Sequence, residues 1–104
     1  MKIIKCLTEY IHEEIGDAKK YVEKAIAVKG EFPQLAEVFY KLSGEEMQHM
    51  NILHGEVEKL IAEHRRTKGD PPEAMLAVYD YLHEQAINDA KEVKILQEMY
   101  RSGP

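Results

Sequence analysis

The residues best suited to chemistry in this 104-residue chain are a carboxylate and an imidazole three positions apart, Glu46 and His49. Residues at this spacing lie on one face of an α-helix, so both side chains can reach a single point. Burying an unpaired carboxylate is costly, and a divalent metal ion shared by the two groups would offset that cost. The pair is therefore a candidate metal site, provided that it lies on the buried side of a helix.

The pair interrupts an apolar pattern that is typical of a buried helix face. The pattern advances in steps of three and four residues, and its members are Leu35, Phe39, Leu42, Glu46, His49, Leu53, Val57, Leu60 and His64. It predicts a long helix over about residues 32–66. Glu46 and His49 then lie in the middle of the face that packs against other helices, where leucines are expected.

Two interpretations without a metal stay open. Ser43 and Glu46 have the spacing of a capping box, in which the helix would begin at Ser43 and Glu46 would bond back to its backbone. Alternatively, the helix is long and His49 is a core histidine with its hydrogen bonds satisfied. The apolar residues before Ser43 are in phase with the later part of the pattern, which argues against the capping box.

A helix predicted over about residues 3–29 carries one carboxylate in its apolar stripe. The stripe is Ile4, Leu7, Ile11, Glu14, Ala18, Tyr21, Ala25 and Val28. A glycine and a proline mark a short break near residue 30, so this helix and the next are expected to pack antiparallel. Counted from that break at ~1.5 Å per residue, Glu14, Glu46 and His49 come to about the same height. This agreement favours one shared site.

The third predicted helix covers about residues 73–100, after a second break rich in glycine and proline. Its stripe is Met75, Tyr79, Leu82, Ala86, Asp89, Val93, Leu96 and Tyr100. Asp89 is the one charged member and lies near the common level, so it is a candidate fourth ligand. The alternative is a solvated Asp89 at the edge of the stripe, because aspartate is mostly exposed in proteins.

Composition and charge exclude several classes of function. The length fits a single domain over residues 1–104. The net charge of -5 provides no basic footprint for nucleic acid or an anionic membrane. No apolar run approaches the ~20 residues of a membrane span. The single cysteine, Cys6, excludes an intramolecular disulfide, and a cytoplasmic location is expected.

The combination of Glu14, Tyr21 and Glu46-x-x-His49 resembles the first two helices of the ferritin-like di-iron proteins, rubrerythrin in particular. Two surrounding phrases also look rubrerythrin-like, namely Leu35-Ala36-Glu37-Val38-Phe39 and Glu45-Glu46-Met47-Gln48-His49. The resemblance covers about residues 4–64. It implies an all-α, ferritin-like fold and roles as iron ligands for Glu14, Glu46 and His49. A carboxylate-rich set with one imidazole suits iron or manganese better than structural zinc.

The same resemblance implies an assembly and an activity. The family builds its site from four helices with a second set of ligands, whereas this chain has three predicted helices and one Glu-x-x-His. Similarity to the short encapsulated ferritins implies that two chains complete a four-helix bundle, as a homodimer or a higher homo-oligomer. The implied activity is oxidation of ferrous iron or reduction of oxygen or peroxide, as a ferroxidase- or peroxidase-type oxidoreductase with an external electron donor.

Two other functions stay open. The first is a non-catalytic helical assembly or adaptor module with a ferritin-like shape, which the missing half of the site favours. The second is a metal-buffering protein that holds one ion without redox turnover.

Overall fold

The computed structural model describes residues 2–103 and consists of three α-helices. Helix α1 spans Lys2–Val28, α2 spans Pro33–Lys68 and α3 spans Glu73–Ser102. Within residues 2–103 there is no β-strand. The predicted all-α class is confirmed, and each helix end lies within two residues of its expected position. None of the three helices has the length and apolar character that would let it cross a membrane.

The connections stop the helices for reasons that the sequence indicates. Pro33 occupies the first turn of α2, where a backbone N–H would have no partner inside the helix. Gly69 ends α2 with a φ of 79°, in the left-handed region that favours glycine, and its N–H donates to the carbonyl of Arg65. Because α2 runs without a break through Ser43, the capping-box interpretation of Ser43 and Glu46 is wrong.

The helices run up, down and up, and α1 packs against both of the others. Residue numbers increase together in α1 and α3, since Lys19 contacts Glu92 and Lys29, just after α1, contacts Tyr100. Between α1 and α2 the order is reversed, since Glu14 lies beside His49 and Ala18 lies beside Ser43. Helices α1 and α3 are therefore parallel, with α2 antiparallel to both. The result is a rod of 56 × 18 × 18 Å.

The buried line of α1 differs from the predicted stripe by one position at three places. The core contains Ile4, Ile11, Ile15, Ala18, Val57 and Val93 in one cluster and Val22, Ala25, Ala36 and Tyr100 in a second. Thr8, Ile15 and Val22 are buried on α1, whereas their predecessors in sequence, which belong to the predicted stripe, are only half-buried. Helix α1 packs against both α2 and α3. The middle of its buried face therefore points between these two helices, whereas the predicted stripe is the face that would pack against α2 alone.

Helix α3 occupies only one of the two grooves between α1 and α2. Lys19 of α1 forms an ion pair with α3, and His54 of α2 stacks on an imidazole of α3. Glu14 and His49 lie five residues before these positions, which is about 140° around each helix. The sides of α1 and α2 that carry Glu14 and His49 therefore face away from α3. We call this uncovered side the open groove, and it includes Leu7, Tyr10, Glu14, Tyr21, Leu35, Phe39, Leu42, Glu46, His49, Leu53 and Leu60.

Helix α3 packs unevenly along its length. Its N-terminal half borders a cleft of about 370 Å³ shared with the start of α1, which Ile4, Thr8 and Leu82 help to line. A second cleft of about 230 Å³ lies between the three helices beside Ile11 and Ala86. Near the C-terminal end of α3, a cleft of about 250 Å³ is lined by polar and aromatic side chains, among them Lys29, Glu37 and Tyr100.

The C-terminal end of α3 is held by contacts to both other helices. Tyr100 is buried, its ring stacks on Tyr40 with centroids 4.6 Å apart, and its hydroxyl donates to the Glu37 carboxylate at 2.8 Å. Burial raises the pKa of the Tyr100 hydroxyl, and the bond to Glu37 adds to the rise. Lys29 lies 4.6 Å above the Tyr100 ring and donates to the carbonyls of Tyr100 at 2.6 Å and Gly103 at 3.2 Å.

Replacing Lys29 with methionine should therefore destabilise the protein. Lys29→Met keeps most of the apolar stem but removes the cation over the ring and the donor to the last carbonyls of α3, which together contribute roughly 1–2 kcal/mol. Urea unfolding followed by far-UV circular dichroism, at fixed protein concentration, measures the loss. Lys24→Met, at an exposed position of α1, is the control. Equal unfolding midpoints for the two variants would contradict the role of Lys29.

Candidate metal centre

Glu14, Glu46 and His49 meet in the open groove, as their equal heights predict. One potential ligand atom from each lies within 4.8 Å of the others. His49 Nδ1 is 3.4 Å from Glu14 Oε2 and 3.7 Å from Glu46 Oε2. Across residues 2–103, no other set of three or more histidine, cysteine, aspartate or glutamate side chains is gathered in this way.

The three side chains differ in exposure in a way that gives the site a floor and a rim. The side chains of Glu14 and Glu46 are 25% and 19% exposed, while that of His49 is 55% exposed. The carboxylates thus lie between α1 and α2, and the imidazole lies at the edge that faces solvent. A core histidine is buried, so the exposure of His49 excludes the interpretation of this residue as part of the core.

The cluster is not electrostatically satisfied by its own members. Glu14 Oε2 is buried and accepts no hydrogen bond, a condition that costs free energy in a folded protein. The pKa of Glu46 is raised, first because its protonated form can share a proton with the Glu14 carboxyl, then by burial and by the charge of Glu14. His49 opposes this rise but does not cancel it. Two crowded carboxylates and an unused oxygen lone pair are the arrangement that a divalent cation would stabilise.

The donor set fits iron or manganese. Carboxylate oxygens with an imidazole suit these ions, and zinc also accepts such ligands, although its structural sites favour cysteine and histidine. Three protein donors leave coordination positions for further groups. The exposed imidazole lies on the side of the open groove that no other part of the described chain covers.

Asp89 is not brought to the other three residues. It is exposed on α3, and its charge acts on Lys19, the residue that pairs with Glu92. The site lies on the opposite side of α1 from α3, so the height of Asp89 is suitable but its direction is not. Its placement matches the solvated alternative.

Ser43 and Gln97 form an unpredicted polar connection next to the cluster. Ser43 is fully buried; its hydroxyl donates to the carbonyl of Ala18 at 2.7 Å and accepts a bond from Gln97 Nε2 at 3.0 Å. The available signal is a spacing of seven residues that aligns Ser43 with the buried Ala36 and Val57, which indicates a hydroxyl inside the core.

Comparisons with models of known protein families, with curated proteins and with solved structures find no match to this chain. The resemblance to the ferritin-like proteins therefore stays a prediction. The chemistry of the site has to be argued from the cluster itself.

Repulsion between the two carboxylates predicts that removing one charge stabilises the metal-free protein. In Glu46→Gln the new amide can also donate to the unsatisfied oxygen of Glu14. At pH 7.5, with chelator present, Tm should rise by about 4–8 °C, the equivalent of roughly 1 kcal/mol for a domain of this size.

The pH dependence of this gain has a definite sign. Because the pKa of Glu46 is raised in the folded state, the wild-type protein is stabilised as pH falls through that pKa and loses this contribution as pH rises. The advantage of Glu46→Gln should therefore shrink toward pH 4.5 in thermal melts. Glu13→Gln, at an exposed neighbour of Glu14, is the control. A Glu46→Gln variant that melts below wild type at pH 7.5 would contradict the repulsion.

Proposed function

We propose that this chain is a ferritin-like iron-binding protein that oxidises ferrous iron or reduces oxygen or peroxide. The observation that supports the proposal is the convergence of Glu14, Glu46 and His49, with a buried oxygen of Glu14 that accepts no hydrogen bond. The two helices that carry these groups are otherwise apolar along the same lines, so a purely structural role would favour leucine at these positions.

The protein groups have distinct tasks in this proposal. The Glu14 and Glu46 carboxylates supply negative charge and hard oxygen donors, and His49 supplies the nitrogen donor from the rim of the site. Iron bound there would supply the redox chemistry. Tyr21 and Phe39, whose rings stack at a centroid distance of 6.3 Å, and the leucines of the groove surround the site with apolar side chains. Such surroundings lower the local dielectric and strengthen the attraction between the carboxylates and a cation.

A second copy of the chain is the proposed partner that completes the site. Glu14 and His49 lie near the middle of their helices, so a two-fold axis through the open groove would place two sets of ligands face to face. The α1–α2 pairs of the two copies would then form a four-helix bundle, with a dinuclear centre in its core. In this assembly α3 stays on the outside, which agrees with its position on the far side of the α1–α2 pair.

The surface of the open groove also supports a partner. Leu35 and Tyr10 are 45% and 49% exposed, and neighbouring leucines are only half-buried. Apolar side chains lie both above and below the cluster, so a two-fold partner would bring apolar surface against apolar surface. Contiguous exposed apolar surface of this kind marks interfaces.

The metal proposal is tested by iron content after anaerobic loading with ferrous iron and desalting. Wild type should hold about one iron per chain, as expected for a dinuclear site shared by two copies. Glu46→Ala should hold almost none because it removes a ligand. Asp89→Ala should match wild type because Asp89 is exposed on α3. Equal, near-zero iron in wild type and Glu46→Ala would end the metal proposal in favour of the helical assembly module.

Oxygen consumption by the iron-loaded protein separates the remaining functions. Uptake that depends on Glu46 indicates a ferroxidase- or peroxidase-type activity, whereas stoichiometric iron without uptake indicates a metal-buffering protein. The external electron donor and the cytoplasmic location stay predictions.

The proposed partner is tested by light scattering at micromolar concentration. Wild type should have at least twice the 12.0 kDa mass of one chain. Leu35→Glu places a charge in the open groove and should shift the protein toward the monomer. Ile95→Glu is the matched control, because Ile95 is 57% exposed but lies on the outer face of α3. A clean 12.0 kDa wild-type species, or equal dissociation in both variants, would contradict this interface.

A further inference from the structure

The buried hydroxyl of Ser43 connects all three helices one turn away from the cluster. Its proton goes to the carbonyl of Ala18 on α1, at 2.7 Å, and its lone pair accepts from Gln97 Nε2 on α3, at 3.0 Å. The hydroxyl has only one proton to donate. The bond from Gln97 occupies its acceptor side and so directs that proton toward Ala18.

This bond is not needed to complete a helix. The carbonyl of Ala18 lies inside α1, where a backbone N–H one turn further on already serves as its partner. Ser43 also lies well inside α2, ten residues after Pro33, where it has no capping role. What the bond does is join one point of α1 to one point of α2.

Those two points lie next to the cluster on both helices. Ala18 is four residues after Glu14, and Ser43 is three residues before Glu46, so each is about one helical turn from the site. The helices are antiparallel, and a slide or rotation of α2 on α1 would therefore change the bond and the separation of the ligands together.

The cluster itself pushes in the opposite direction. Carboxylate oxygens of Glu14 and Glu46 lie within 4.8 Å of each other, and the buried Glu14 Oε2 lacks a hydrogen-bond partner that a separation of the helices would let water provide. A restraint close to the carboxylates would therefore oppose their separation before a metal binds.

We infer that Ser43, oriented by Gln97, is a positioning residue that holds Glu46 and His49 at the height and rotation of Glu14. The inference rests on the proposed metal-binding function. It assigns to the buried hydroxyl an effect on metal affinity that exceeds its effect on stability.

Thr8 provides a matched control for a buried hydroxyl. It is also buried, and its hydroxyl donates at 2.8 Å to the carbonyl of Ile4 in its own helix. Thr8→Ala therefore removes a buried hydroxyl and one hydrogen bond within a single helix. Ser43→Ala also removes a buried hydroxyl, but it breaks two hydrogen bonds, and both of them join different helices.

The test measures Co²⁺ binding to the full chain by visible absorption, alongside the Tm of the metal-free proteins. Ser43→Ala should weaken Co²⁺ binding about tenfold, the lower end of the effect of residues that orient metal ligands. It should also change the shape of the absorption band, because the ligands are held less uniformly. Thr8→Ala should also lower the Tm of the metal-free protein, but its Co²⁺ affinity and spectrum should equal those of wild type.

The other outcomes are also decisive. If wild type binds Co²⁺ and Ser43→Ala binds it with equal affinity and spectrum, the positioning role is wrong while the metal site stands. If wild type does not bind Co²⁺, the proposed function fails and the positioning role with it. If Ser43→Ala does not fold, Gln97→Met takes its place, since it keeps the volume of the side chain but removes the donor to Ser43. Wild-type Co²⁺ affinity in Gln97→Met would then overturn the inference.

Discussion

A third helix can cover only one of the two grooves between α1 and α2. The rest of the structure depends on that constraint. Helix α3 fills the groove where Lys19 and His54 point, and the other groove keeps its apolar side chains half in water. The leucines of the open groove, the exposure of His49 and the shallow burial of the carboxylates all have this one cause. In a monomer of this chain, α3 thus covers one side of the α1–α2 pair and leaves the open groove uncovered.

The ionisable groups in the open groove are subject to opposing electrostatic effects. A proton shared with Glu14, burial and the charge of Glu14 raise the pKa of Glu46, while the nearby His49 lowers it. Such clusters contribute little to stability unless every charge is paired and every lone pair is used. A helical bundle that contains such a charged cluster is less stable than an apolar one, but it has a site where a cation can bind.

The heights of the candidate ligands were predictable, and their directions were only partly so. Height follows from the fixed rise of a helix and from breaks at glycine and proline, which is why Glu14 and His49 meet as expected. Direction depends on which neighbours a helix has. The one-position difference between Glu14 and the buried Ile15 arises because α1 packs against two helices. Asp89 does not reach the site because α3 packs on the opposite side of α1.

The role of Ser43 lies beyond what local sequence reveals. A serine three residues before a glutamate has the same spacing in a capping box and in a helix interior, and only the neighbouring helices distinguish them. Its acceptor is a backbone carbonyl 25 residues away in sequence, and its donor lies 54 residues away. The spacing that aligns Ser43 with Ala36 and Val57 indicates a buried hydroxyl, but it does not identify either of these partners.

The uneven packing of α3 has a consequence for local opening of the structure. Its C-terminal half is tied down through Tyr100, Lys29 and Gln97, whereas its N-terminal half borders two clefts. We therefore expect amide hydrogens near Tyr79 to exchange with solvent before those near Val93. Such opening would occur on the side of the α1–α2 pair away from the open groove, which holds Glu14, Glu46 and His49. The part of α3 that is expected to open and the candidate metal site thus lie on opposite sides of the α1–α2 pair.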